Sequence, residues 1–129
     1  MNRCVFPFLI TLLSVLAGCS PFPYQEAQPV AIEASSGYLD EEIAPGVHVV
    51  EVRHSAPIAA INNQDQRLIT MKEQWVRRSQ ELCKFGYRGA PEVVSSTNAR
   101  IKAFQCAGAS CAQTPLVSGI IWCHQRYEL

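Results

Sequence analysis

Hydrophobic and polar positions follow three different rhythms along this chain. The first is a largely unbroken apolar run from Val5 to Leu16. It spans about a dozen residues, short of the roughly 20 that a bilayer core demands. Arg3 precedes it and the small residues Ala17 and Gly18 follow. Those are the proportions of a cleaved secretory leader, residues 1–18. The second rhythm belongs to a strand. Val47-His48-Val49-Val50-Glu51-Val52-Arg53 is rich in β-branched residues and lies between Pro45 and Pro57. Its alternation is imperfect, because Val47 and Val49 point one way and Val50 and Val52 the other. That predicts a bulge or a strand buried on both faces.

The third rhythm is helical. Asn63 or Asp65 can cap the helix, with Gln66 as the capping-box partner of Asn63. Leu68, Met71, Trp75, Ser79 and Leu82 recur on one stripe, widened by Ile69, Val76 and Cys83. Glu73, Gln74, Arg77, Gln80, Glu81 and Lys84 form the opposite face, and Gly86 suits the C-cap. At 1.5 Å per residue the helix is about 30 Å long. Three shorter strands follow it. They are Glu92–Thr97, Ile101–Cys106 after a turn at Asn98-Ala99-Arg100, and Val117–His124 after a loop over Ala107–Pro115. The order β-α-β-β-β predicts an α+β domain, with one long helix packed on an antiparallel sheet of about four strands. Trp75 and Trp122 are the expected large core anchors.

Ahead of the domain, residues 19–37 have the composition of a tether. Pro21, Pro23 and Pro29 remove backbone donors and favour extended conformations. Fully extended, such a tether reaches about 55 Å. Phe22 and Tyr24 are expected to be linker residues without specific contacts. The folded domain is expected over residues 38–129, opening with Asp40-Glu41-Glu42 as a solvated acidic turn.

Charge narrows the function classes. The chain has 11 basic and 11 acidic residues. Loss of Arg3 with the leader leaves a formal charge of about −1, with no basic excess to neutralise phosphates, so nucleic acid is excluded as a partner. The six cysteines divide by position. Cys4 leaves with the leader, and Cys19 directly follows it. Cys83, Cys106, Cys111 and Cys123 remain, an even set that in a small exported domain predicts two disulfides. Four small residues separate Cys106 from Cys111, and Cys83 at the helix end can reach Cys123. That favours 106–111 with 83–123. The alternative joins 106 to 123 and 83 to 111.

Candidate chemistry is sparse. The four cysteines with His124 lack the tight spacing of a zinc ribbon, and thiolates persist poorly in an oxidising compartment. No metal or other cofactor is expected. His48, His54 and His124 fall on or beside strands with no nucleophile to serve. Ser35, Ser36, Ser95 and Ser96 lie in no nucleophile-elbow context. No nucleophile–base–orienter set can be assembled, so no catalytic residue and no small-molecule substrate are expected.

Leu16-Ala17-Gly18-Cys19 resembles a bacterial lipobox. That resemblance implies that Cys19 is lipidated on sulfur, becomes the first mature residue and is acylated on its amine. Two or more acyl chains hold a protein stably on a membrane. Further on, Gly37-Tyr38, Val47–Arg53, Glu81-Leu82-Cys83 with Gly86-Tyr87, and Gly119 with Trp122-Cys123 resemble the pattern of small Gram-negative outer-membrane lipoproteins of uncharacterised function. The layout is also loosely similar to the Rcs stress-sensor lipoproteins of enterobacteria, which carry a cysteine before the helix rather than at its end. Ser20 in place of aspartate after Cys19 implies, by the same resemblance, sorting to the outer membrane.

These resemblances imply a non-catalytic, lipid-anchored envelope protein at the periplasmic face of the outer membrane, with a protein partner in the envelope. An inhibitor or immunity protein against a cell-wall-active enzyme, binding through Ala107–Pro115, is the first alternative. A metal- or thiol-active module built on the four cysteines is the second.

Overall fold

A computed structural model describes residues 24–28, 36–54, 66–105 and 114–125. Its elements are β1 (Gly37–Ala44), β2 (Val47–Arg53), α1 (Gln66–Leu82), β3 (Tyr87–Arg88), β4 (Glu92–Ser95) and β5 (Pro115–Cys123). The five strands form one sheet in which every described ladder between strands is antiparallel. β2 lies between β1 and β5, while β3 and β4 share the other edge of β5. The class is α+β, a helix packed on an antiparallel sheet, as expected.

β2 is the strand buried on both faces that its imperfect alternation allowed. Val50 and Val52 join Val117 and Ile121 of β5 beneath Leu68, Met71 and Trp75 of α1. The Trp75 indole N–H donates to the Val50 carbonyl at 2.8 Å, so the largest core residue leaves no polar atom unmet there. The helical stripe places Leu68, Met71, Trp75 and Ser79 inside. Ser79 turns its hydroxyl back to the Trp75 carbonyl, 2.8 Å away. Gln74, expected on the polar face, is buried with them, and Ile69 stays exposed. The expected caps Asn63 and Asp65 lie outside the described residues. Gly86 follows the helix with a φ of +94°, where a glycine is favoured.

Other expectations need correction. Asp40-Glu41-Glu42 is not a solvated turn. It is the middle of β1, paired with Val50, Val49 and His48 through a hairpin closed by Pro45-Gly46. The bulge lies here, between Glu42 and Ala44, rather than in β2. The strand expected over Ile101–Cys106 does not form in its described residues, 101–105. Ser96–Asn98 and Lys102–Phe104 are short 3₁₀ turns that carry the chain across the outer face of the sheet. There Ala99, Phe104 and Leu116 build a second, smaller core. β5 begins at Pro115 and ends at Cys123, and β4 ends at Ser95. Trp122 is no core anchor: it is 41% exposed on the outer face, beneath the Arg88 guanidinium. The element order is therefore β-β-α-β-β-β.

Candidate functional site, an N-terminal strap on the helix and first strand

Cys83 and Cys123 form a disulfide, with Cα atoms 5.0 Å apart. It ties the end of α1 to the end of β5, which is the favoured arrangement for these two. Cys19, Cys106 and Cys111 lie outside the described residues, as does most of the Ala107–Pro115 loop. The histidines are spread out. His48 is half-buried with Nε2 3.6 Å from the Glu42 carboxylate, His54 follows β2, and His124 is exposed past β5 beside Gly86. Among the described residues no group of three His, Cys, Asp or Glu side chains converges as a metal site. A shallow cleft between the Pro45-Gly46 turn and the end of β5 is lined by Val47, Trp122, His124 and Gln125.

The outer face holds a buried charge with a structural task. Glu51, fully buried on β2, accepts hydrogen bonds from the backbone N–H groups of Arg100 (3.0 Å) and Ile101 (2.7 Å). Those donors would otherwise be unsatisfied where the chain crosses the sheet. Arg100 in turn donates to Ser118 Oγ at 2.6 Å and to Glu92 at 3.1 Å. Arg53, next along the same face, lies with its guanidinium 4.7 Å from the Phe104 ring centre.

The most elaborate surface constellation involves residues assigned by composition to the tether. Tyr24–Gln28 lies alongside the start of β1. The Ala27 N–H donates to the Tyr38 carbonyl (2.9 Å) and the Tyr38 N–H to the Gln25 carbonyl (3.0 Å). Together they make a parallel bridge between Glu26 and Tyr38. Gly37 permits this approach. A Cβ there would meet the Gln25 carbonyl oxygen at 2.4 Å and the Ala27 nitrogen at 2.9 Å, and its φ is +138°. Ala27 is 2% exposed and belongs to the second core.

Aromatic and charged side chains close the strap down. Tyr24 stacks on Tyr38 with ring centres 4.8 Å apart. Arg77 sits 3.9 Å from the Tyr24 ring centre and Arg78 4.6 Å from that of Tyr38. Such exposed cation–π pairs contribute about 0.5–1 kcal/mol each. The Tyr24 hydroxyl donates to the Glu81 carboxylate. Arg78 bridges Asp40 at 2.7 Å and Glu81 at 3.2 Å. Burial, then the neighbouring Glu81, pushes the Tyr24 hydroxyl well above its usual range. Glu81 is held below the usual carboxylate range, first by the Tyr24 hydrogen bond and then by Arg78 and Arg77. The consecutive arginines and Glu81 lie at spacings expected on a helix surface. Their aromatic partners come from two distant parts of the chain, so spacing alone does not reveal the cluster.

Among the described residues no helix is long and apolar enough to cross a membrane. Comparison with family models, with curated proteins and with solved structures found no match.

Proposed function

We propose that this chain is a non-catalytic lipoprotein of the bacterial cell envelope. It is anchored through acylated Cys19 at the periplasmic face of the outer membrane, where it presents its α+β domain to an envelope protein partner. The observation that carries the reading is Leu16-Ala17-Gly18-Cys19 behind a short apolar leader. The Cys83–Cys123 disulfide supports it, because disulfides persist in exported proteins and rarely in the cytosol. The acyl chains would supply the membrane affinity that a nearly uncharged domain lacks.

The test is direct. Palmitate labelling and intact mass of the mature protein should show acylation at Cys19 and loss of residues 1–18. Membrane fractionation should place it with the outer membrane, and Cys19→Ala should release it. Membrane association that survives Cys19→Ala would overturn the anchor. Crosslinking in cells then separates roles, since selective recovery of one cell-wall hydrolase would replace the presenting role with inhibition.

A further inference from the structure

Docking of Tyr24–Gln28 changes how far the domain can stand from its anchor. Only five residue steps separate Cys19 from Tyr24, and they cover at most about 18 Å even fully extended. An undocked tether running to Gly37 would reach about 55 Å. A domain of this size is roughly 30 Å across, from a radius of gyration near 12–13 Å. With the strap docked, its attachment point cannot rise above the bilayer by more than about 18 Å. The opposite side therefore cannot be turned toward the membrane.

We propose that the strap fixes the orientation of the domain on the bilayer that holds its acyl chains. The strap-bearing edge of β1 and the Arg77–Glu81 side of α1 face the lipid headgroups, and the β3–β4 edge faces away. This rests on the lipid-anchor reading at Cys19. The strap lies on the β1 edge because Tyr38 gives both its N–H and its carbonyl to it. By the alternation of an antiparallel ladder, Asp40 and Glu42 present their backbone groups on that same edge. Such an edge invites pairing with other chains, and apposition to a bilayer withdraws it from them. At the far edge of the sheet, across β2 and β5, β3 and β4 lie about 14 Å away laterally.

Nuclear magnetic resonance of the mature, acylated full chain in phosphatidylethanolamine–phosphatidylglycerol nanodiscs tests this, with a gadolinium-chelating lipid at headgroup level. The amide signals of Asp40, Glu42, Arg77 and Glu81 should broaden several-fold more than those of Arg88 and Glu92. Tyr24→Ala, a change outside the sheet and helix, should collapse that gradient. Uniform or reversed broadening overturns the orientation, and so does a gradient that Tyr24→Ala leaves intact. Hydrogen exchange on the acyl-free Cys19→Ala chain reads the strap by itself. Tyr24→Ala should speed exchange at Ala27 and Tyr38 roughly tenfold while Val50 and Val52 stay unchanged; unchanged exchange at Ala27 and Tyr38 overturns the latch. Failure of the wild-type chain to bind nanodiscs, with its strap amides still protected, overturns the anchor and the orientation with it. Binding with uniform broadening overturns the orientation alone.

Discussion

Gly119 of β5 lies directly against the Trp75 ring of α1. A Cβ at this position would stand 2.7 Å from the Trp75 ring and 2.6 Å from the Ala90 carbonyl oxygen. Neither neighbour is a free end that can swing away, since Trp75 is fully buried and hydrogen-bonded to Val50. Gly119→Ala is expected to cost about 1–3 kcal/mol as overpacking, read as a lower urea midpoint. Glu51 is the second residue on which much depends. Glu51→Ala removes the acceptor for two backbone donors and is expected to cost about 2–4 kcal/mol, with faster amide exchange at Arg100 and Ile101. The two positions differ in how openly the sequence announces them. Trp75 sits on an unmistakable helical stripe, so its burial is legible. Glu51 is a carboxylate between valines, which a strand pattern assigns to solvent; its partners, about fifty residues away, are backbone atoms that no side-chain pattern records. Trp122 misleads in the other direction, because apolar neighbours on both sides hide which face of β5 is covered.

Among the elements, α1 and β2 are legible because each buries a stripe that local periodicity exposes. β1 is not. Its acidic run breaks the apolar alternation, and what makes it a strand is its backbone ladder to β2, while Arg78 of another element meets Asp40. The strap is hidden by Pro23 and Pro29 on either side of it, which give it the composition of a linker. Its contacts also set its pH range. Glu81 is held below its ordinary 4.5, so its support for docking is complete above that value and declines as pH falls through the lowered one. Tyr24 is raised above its ordinary 10.0, so its support is complete below that value and fades only as pH climbs toward the raised one. Protection of the Ala27 and Tyr38 amides, corrected for intrinsic exchange, should therefore be flat between roughly pH 5 and 9 and fall only on the acid side of the ordinary carboxylate value of 4.5. The disulfide is an element-scale staple as well. Closing a separation of 40 residues contributes about 4 kcal/mol by the chain-entropy relation. Chemical denaturation of the Cys83→Ser/Cys123→Ser chain should show a loss of about 2–4 kcal/mol.

At the scale of the whole molecule, one sheet is covered on two sides by different means. A single helix covers one face, and an irregular crossing segment pinned by Glu51 covers the other. The hydrophobic pattern makes the first layer legible, whereas the second is held by backbone hydrogen bonds and leaves little trace in composition. β5 is the common member, paired with β2 on one side and with β3 and β4 on the other. Its last residue is bonded covalently to the residue that follows α1. Everything from Lys84 to Trp122 is thus a closed ring. A protease that cuts this ring once adds a molecule of water but releases nothing, because both pieces remain joined through sulfur and β5 keeps its neighbours. Limited digestion should yield a chain that migrates intact without reductant and as two fragments with it. A clipped copy would go on holding its shape, and only the loss of the sulfur bond would turn one cut into two molecules.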